Sequence, residues 1–153
     1  MKKIFVKDES NRLGLPAFKI LGASWATFRA ITQRAKLPLE AELADVARAA
    51  QKLGLKLFTA TDGNHGRAVA KMAKILGIGA EVFIPRDLDD AAEGFIVAEG
   101  ANVTRIDGDY DAAVLKADEE GTRQGGVTVQ DTAWEGYEEI PRVRGLDDLV
   151  VES

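Results

Sequence analysis

The chain has no cysteine among its 153 residues. That excludes disulfides, thiolate metal sites and a cysteine nucleophile. It has one histidine, His65, so no second imidazole is present to complete a zinc site. No apolar run approaches the ~18 residues of a membrane-spanning helix. An excess of positive charge is also lacking: the formal net charge is −5, whereas nucleic-acid-binding domains are usually basic. Neither nucleic acid nor membrane is expected as a partner. The apolar stretch after Met1-Lys2-Lys3 is only Ile4-Phe5-Val6, too short for a secretory signal. The expected compartment is the cytoplasm.

What is present is the composition of a folded, water-facing domain, 46% apolar and 29% charged. The length suits one domain with its own core. Residues 3–7 predict a short strand, and Asp8 to Pro16 a polar loop. Pro16 suits a first helical turn, where its missing N–H costs nothing. A helix over 17–35 follows, with Phe18, Leu21, Trp25 and Phe28 at core-facing spacing. After Pro38 a second helix is expected over 39–53, burying Leu39, Leu43, Val46 and Ala50, with Gly54 as its C-terminal cap.

From there one pattern repeats: helix, glycine, short apolar strand. Strands are expected at 55–60, 80–84, 102–106 and 127–130, with helices at 67–76, 88–99 and 110–124 between them. Strands joined by single helices pair in parallel, because the crossover helix returns the chain. The predicted fold class is α/β, a four-stranded parallel sheet with helices on both faces. The strand at 3–7 stands outside it, and the charged residues 143–153 read as an atypical tail.

Ligands of open parallel sheets sit beyond the carboxyl ends of the strands. Two stretches fall there. The first is Thr61-Asp62-Gly63-Asn64-His65-Gly66, which ends a strand and opens a helix. Helix N-termini offer free N–H groups and the positive end of a dipole to anions. The competing reading is that Asp62 or Asn64 merely caps the helix. The second is Asp131, after the last strand, which could share acid–base work with Asp62 or form only a turn. Asp107 and Asp109 read as turn formers. Lys19 lies among Phe18, Ile20 and Leu21, and apolar surroundings lower a lysine's proton affinity; the alternative is an exposed helical lysine. His65 reads as a loop hydrogen-bonder. Trp134 and Tyr137 are expected to pack against the sheet or an adjacent domain.

Lys7-Asp8-Glu9-Ser10-Asn11-Arg12-Leu13-Gly14-Leu15-Pro16-Ala17-Phe18-Lys19-Ile20-Leu21-Gly22-Ala23 resembles the lysine segment of fold-type II pyridoxal-phosphate enzymes. Ala60-Thr61-Asp62-Gly63-Asn64-His65-Gly66-Arg67 resembles their asparagine loop. Its aspartate, where serine and threonine dehydratases usually carry serine, is similar to the diaminopropionate ammonia-lyase family. Asp107-Gly108-Asp109-Tyr110-Asp111 and the segment from Asp131 to Arg142 extend the likeness.

The resemblance implies pyridoxal 5'-phosphate as cofactor, bound covalently by Lys19, with Asn64 at its ring oxygen. It implies that the backbone of Thr61, Gly63 and His65 holds the substrate carboxylate. Lys19 and Asp62 would take the α-proton of opposite enantiomers, and Asp131 would serve the substrate amine or the acid–base network. The implied substrate is a small amino acid, 2,3-diaminopropionate, and the longer relatives are expected to be homodimers. Such relatives are more than twice this length and carry a glycine-rich phosphate loop that this sequence lacks. Residues 1–16 are therefore assigned to a missing large domain, and 17–142 to the small α/β domain. Weak cofactor binding and little turnover are expected of a chain cut out in this way. The alternatives are a threonine or serine dehydratase relative and a non-catalytic association domain.

Overall fold

The computed structural model describes residues 4–8 and 10–131. Five helices and four strands alternate in them: α1 Lys19–Ala35, α2 Leu43–Lys52, β1 Lys56–Ala60, α3 Asn64–Leu76, β2 Gly79–Ile84, α4 Asp90–Ala98, β3 Asn102–Arg105, α5 Tyr110–Gln124 and β4 Val127–Thr128. The strands form one parallel sheet in the order β3-β2-β1-β4. The chain moves outward from β1 through β2 to β3, then returns to β4 on the other side of β1. The strand order therefore reverses between β1 and β4, the position where open sheets leave a crevice.

Alternation along the strands sorts the core into two layers. Leu57, Ala80, Val82, Ile84, Val127 and Val129 pack with α1, α2, α3 and α4. Phe58, Ala60 and Phe83 pack on the opposite face with Ala113 and Ala117 of α5. The period-two pattern thus places one aromatic-rich face against α5, whose small residues allow the helix to lie close. Gly54 and Gly77 take positive φ just past α2 and α3, where no side chain is strained.

One expectation fails at the N-terminal end. Residues 4–8 form no strand; Ile4, Phe5 and Val6 stand 85–89% exposed. A lone extended segment gains nothing without a partner strand, and none is present among the described residues. The loop that follows packs against this body. Leu15 is buried in the core, and Arg12 and Leu15 exchange backbone hydrogen bonds of 3.0 and 2.9 Å.

The predicted face of α1 is also displaced. Ile20, Ala23, Thr27, Ala30 and Ile31 are buried, while Phe18, Leu21 and Trp25 stand 42–64% exposed. Both sets have helical spacing; the smaller residues won the sheet side because α1 lies against α3 and β4. Phe28 lies at the border, half-buried and stacked on Trp25. On α2, which starts at Leu43 and not at 39, the buried residues are Val46 and Ala50; Leu43 is exposed, as is Leu39 ahead of the helix. Trp134, Tyr137 and the 143–153 tail lie outside the described residues.

Candidate active site

The carboxyl ends of β1 and β4 bring three separate segments together. Lys19 opens α1, and its Nζ donates to Oδ2 of Asp131 at 2.5 Å. The same carboxylate oxygen lies 3.7 Å from Nδ1 of His65 in the first turn of α3. His65 Nε2 is 2.9 Å from the Val129 carbonyl, so Nε2 carries the proton and Nδ1 presents its lone pair. Lys19 and the loop containing Asn64 are therefore at one edge of the sheet, joined through Asp131.

The electrostatics differ from the expectation for Lys19. Its side chain is 40% exposed and its proton affinity is raised, first by the hydrogen bond to Asp131 and against the smaller effect of burial. Apolar sequence neighbours did not make an apolar environment, because Phe18 and Leu21 are themselves exposed. Burial works to raise the Asp131 pKa but is outweighed: His65, the hydrogen bond from Lys19 and its charge hold the carboxyl below its ordinary value. His65 is pushed down, chiefly by burial, against the pull of Asp131.

Thr61 builds the loop between β1 and α3. Its buried Oγ1 accepts from the amides of Gly63 and Gly66, both at 2.9 Å. Gly63 is the N-cap of α3 at φ 149°, and neither Asp62 nor Asn64 supplies a capping side chain. The simple capping reading therefore fails. Asp62 and Asn64 are exposed instead. Gly66 is required by close approach: a Cβ there would lie 2.3 Å from Thr61 Cγ2 and 3.0 Å from Val82 Cγ1. Since Thr61 already holds the Gly63 amide, the outward donors of this helix end are the amides of Asn64 and His65, which have no acceptor among the described residues.

The sequence suggested no role for two further residues of the candidate site. Gln130 leaves β4 and uses its side chain as a substitute for ladder pairing: Oε1 accepts from the Ala60 amide at 3.1 Å and from Thr59 Oγ1 at 2.9 Å, and Nε2 donates to the Ala60 carbonyl at 3.2 Å. This shortens β4 to Val127–Thr128 instead of the expected 127–130. Tyr110, at the start of α5, accepts from Gln130 Nε2 at 3.0 Å. The signal for both was position, at carboxyl ends of strands, not residue type. Asp109, expected as a turn former, caps α5 by accepting from Ala112 at 3.0 Å. A hollow of about 350 Å³ lined by Arg29, Thr32, Gln33, Leu37 and Leu39 contains none of the candidate residues.

Residues 1–141 match the family described as "Pyridoxal-phosphate dependent enzyme". The chain belongs to that family. Among curated relatives it is 40% identical over 160 residues to a diaminopropionate ammonia-lyase of Salmonella typhimurium, an alignment spanning 98% of this chain and 39% of the relative. A crystal structure of the Escherichia coli diaminopropionate ammonia-lyase in apo form superposes with a TM-score of 0.79 at 38% identity, over 88% of this chain and 37% of that one. A processed threonine deaminase of Solanum lycopersicum, at 22% identity and TM-score 0.52, shares the fold. The chain thus spans 35–39% of the length of the curated relatives it matches.

The residues present fit one end of such a cofactor. They offer a primary amine, an exposed amide at Asn64 and unpaired backbone donors at a helix N-terminus. No atom lies within 4 Å of where a Gly63 side chain would stand, so the approach to that helix end is open.

Proposed function

We propose that this chain carries the lysine-bearing part of an ammonia-lyase that uses pyridoxal phosphate to eliminate ammonia from 2,3-diaminopropionate. With water, that reaction yields pyruvate and two ammonia molecules. The observation that supports it most is the meeting of Lys19 with Asp131 beside the N-terminus of α3. The likeness to named ammonia-lyases supports the substrate class.

When bound, pyridoxal phosphate supplies an aldehyde for a lysine and an electron-withdrawing ring for the substrate's α-carbon. Lys19 is the amine of this site, and Asn64 would hold the cofactor's ring oxygen. The amides of Asn64 and His65 orient the substrate carboxylate, with Thr61 and Gly63 fixing the loop that presents them. Asp131 holds the Lys19 proton, so the lysine acts as a base for one enantiomer only when that proton is handed on. Asp62, exposed in the loop, takes the α-proton of the other enantiomer. By the same resemblance the setting is cytoplasmic amino-acid degradation, within a homodimer of the longer enzyme.

A chimera tests this reading. Residues 1–141 replace the matching part of the Salmonella enzyme, and pyruvate release is measured from diaminopropionate, serine and threonine. Preference for diaminopropionate, abolished by Lys19→Ala, is the expected result. A preference for serine or threonine would favour the dehydratase alternative.

The exposed Phe18, Leu21 and Trp25 on α1 support a second reading, association through this apolar face. Sedimentation of the 153-residue chain as a monomer at micromolar concentration would count against it.

A further inference from the structure

We propose that His65 is the positioning residue of the Lys19–Asp131 pair. Its ring anchors the end of β4 through the Val129 carbonyl and, by taking a proton on Nδ1, replaces Lys19 as cationic partner of Asp131 when the lysine amine is neutral.

The geometry has two parts. First, β4 leaves the ladder early. Val129 donates to Phe58 at 2.8 Å, but beyond it the Gln130 side chain satisfies β1 in place of the backbone. The Val129 carbonyl is bonded instead by the His65 ring at 2.9 Å. That bond ties the segment bearing Asp131 to the helix end bearing Asn64. It also fixes the ring, because a buried imidazole with one nitrogen committed has one orientation left.

Second, Lys19 and His65 address the same oxygen. Asp131 Oδ2 is 2.5 Å from Lys19 Nζ and 3.7 Å from His65 Nδ1. With Lys19 charged, the carboxylate has its cation, and the 5%-exposed ring stays neutral. A neutral Lys19 leaves a half-buried carboxylate facing an imidazole lone pair. Moving the proton from Nζ through Oδ2 to Nδ1 removes that repulsion and leaves the summed charge of the three groups unchanged. The groups acting on His65 are Lys19 from α1, Asp131 after β4, Asp62 from the β1–α3 loop and the Val129 carbonyl; Lys19 opposes protonation and the others favour it.

The use of this exchange in catalysis rests on Lys19 being the cofactor-bearing lysine; the exchange itself does not. His65 is the only histidine, so its imidazole resonances can be titrated by NMR in the cofactor-free chain without overlap. Removing the ammonium in Lys19→Met should raise the His65 midpoint by about 0.5 pH unit or more, the size expected for a unit charge at most about 6 Å away in a hydrated site. Asp131→Asn should lower it by a similar amount. Lys19→Gln repeats the first arm should the methionine variant not fold. A midpoint unchanged in either a folded Lys19 variant or Asp131→Asn overturns the proposal. A raised midpoint in a chain whose Lys19 is not the residue labelled by pyridoxal phosphate would uphold the exchange and remove the lyase reading.

Discussion

The ammonium of Lys19 and the carboxylate of Asp131 meet at 2.5 Å although 112 positions separate them in sequence. The contact joins the first helix to the end of the last strand. It also keeps the lysine protonated, so an aldehyde must compete with Asp131 for the amine. Asp131→Asn should therefore return Lys19 towards its ordinary proton affinity. At pH 9 its reaction with trinitrobenzenesulfonate, followed by peptide mapping, should quicken, since a lower proton affinity leaves more of the amine free. An unchanged rate would mean that the ion pair does not control the amine.

Thr61 holds the loop by accepting two amides with one hydroxyl. Thr61→Val keeps the shape and leaves both N–H groups without that acceptor, at a cost of about 1–3 kcal/mol. Thr61→Ser should restore most of the loss. Urea midpoints of the three proteins check the order.

Gly66 and Gly22 make a matched pair. Alanine at Gly66 collides with the Thr61 side chain and Val82, whereas at Gly22, within α1, it meets nothing within 4 Å. Gly66→Ala should destabilise by about 1–3 kcal/mol as an overpacked site. Gly22→Ala should stabilise by about 0.5–1 kcal/mol through helix propensity. Thermal melts of opposite sign are the expected readout.

Stability should fall on both sides of neutrality for different reasons. The native His65 pKa is depressed below 6.5, so as pH drops beneath 6.5 the unfolded chain takes a proton that the native ring refuses, and stability declines. The Asp131 contribution is present above 3.8 and is lost as pH falls through its lower native value. Lys19 is raised above 10.5, so its contribution is present below 10.5 and is lost as pH rises through the native value. Denaturant midpoints should be highest between 6.5 and 10.5. Asp131→Asn should flatten the alkaline side; an alkaline limb unaltered by that substitution would remove the Lys19 assignment.

The sheet was legible because each strand is a short apolar run bounded by a helix and a glycine, a pattern that only parallel pairing satisfies. That Thr61–Gly66 and Asp131 meet was legible for the same reason: both sit at carboxyl ends of strands. The face of α1 was not, since Phe18, Leu21 and Trp25 have the same spacing as the residues that are buried, and periodicity cannot choose between two apolar stripes. The state of Lys19 was illegible too. Its sequence neighbours are apolar, but its spatial neighbour is a carboxylate 112 residues away. Gln130 escaped notice because a side chain standing in for a backbone partner leaves no trace in a hydrophobic pattern.

The central claim is that Lys19 is the amine that accepts pyridoxal phosphate. The most direct test treats the 153-residue chain with substoichiometric pyridoxal phosphate, reduces it with borohydride and maps the labelled peptides by mass spectrometry. Label concentrated on Lys19, and lost from the protein in Lys19→Ala, is the result the account predicts. Label spread over the other lysines, with Lys19 no more modified than they are, would contradict it.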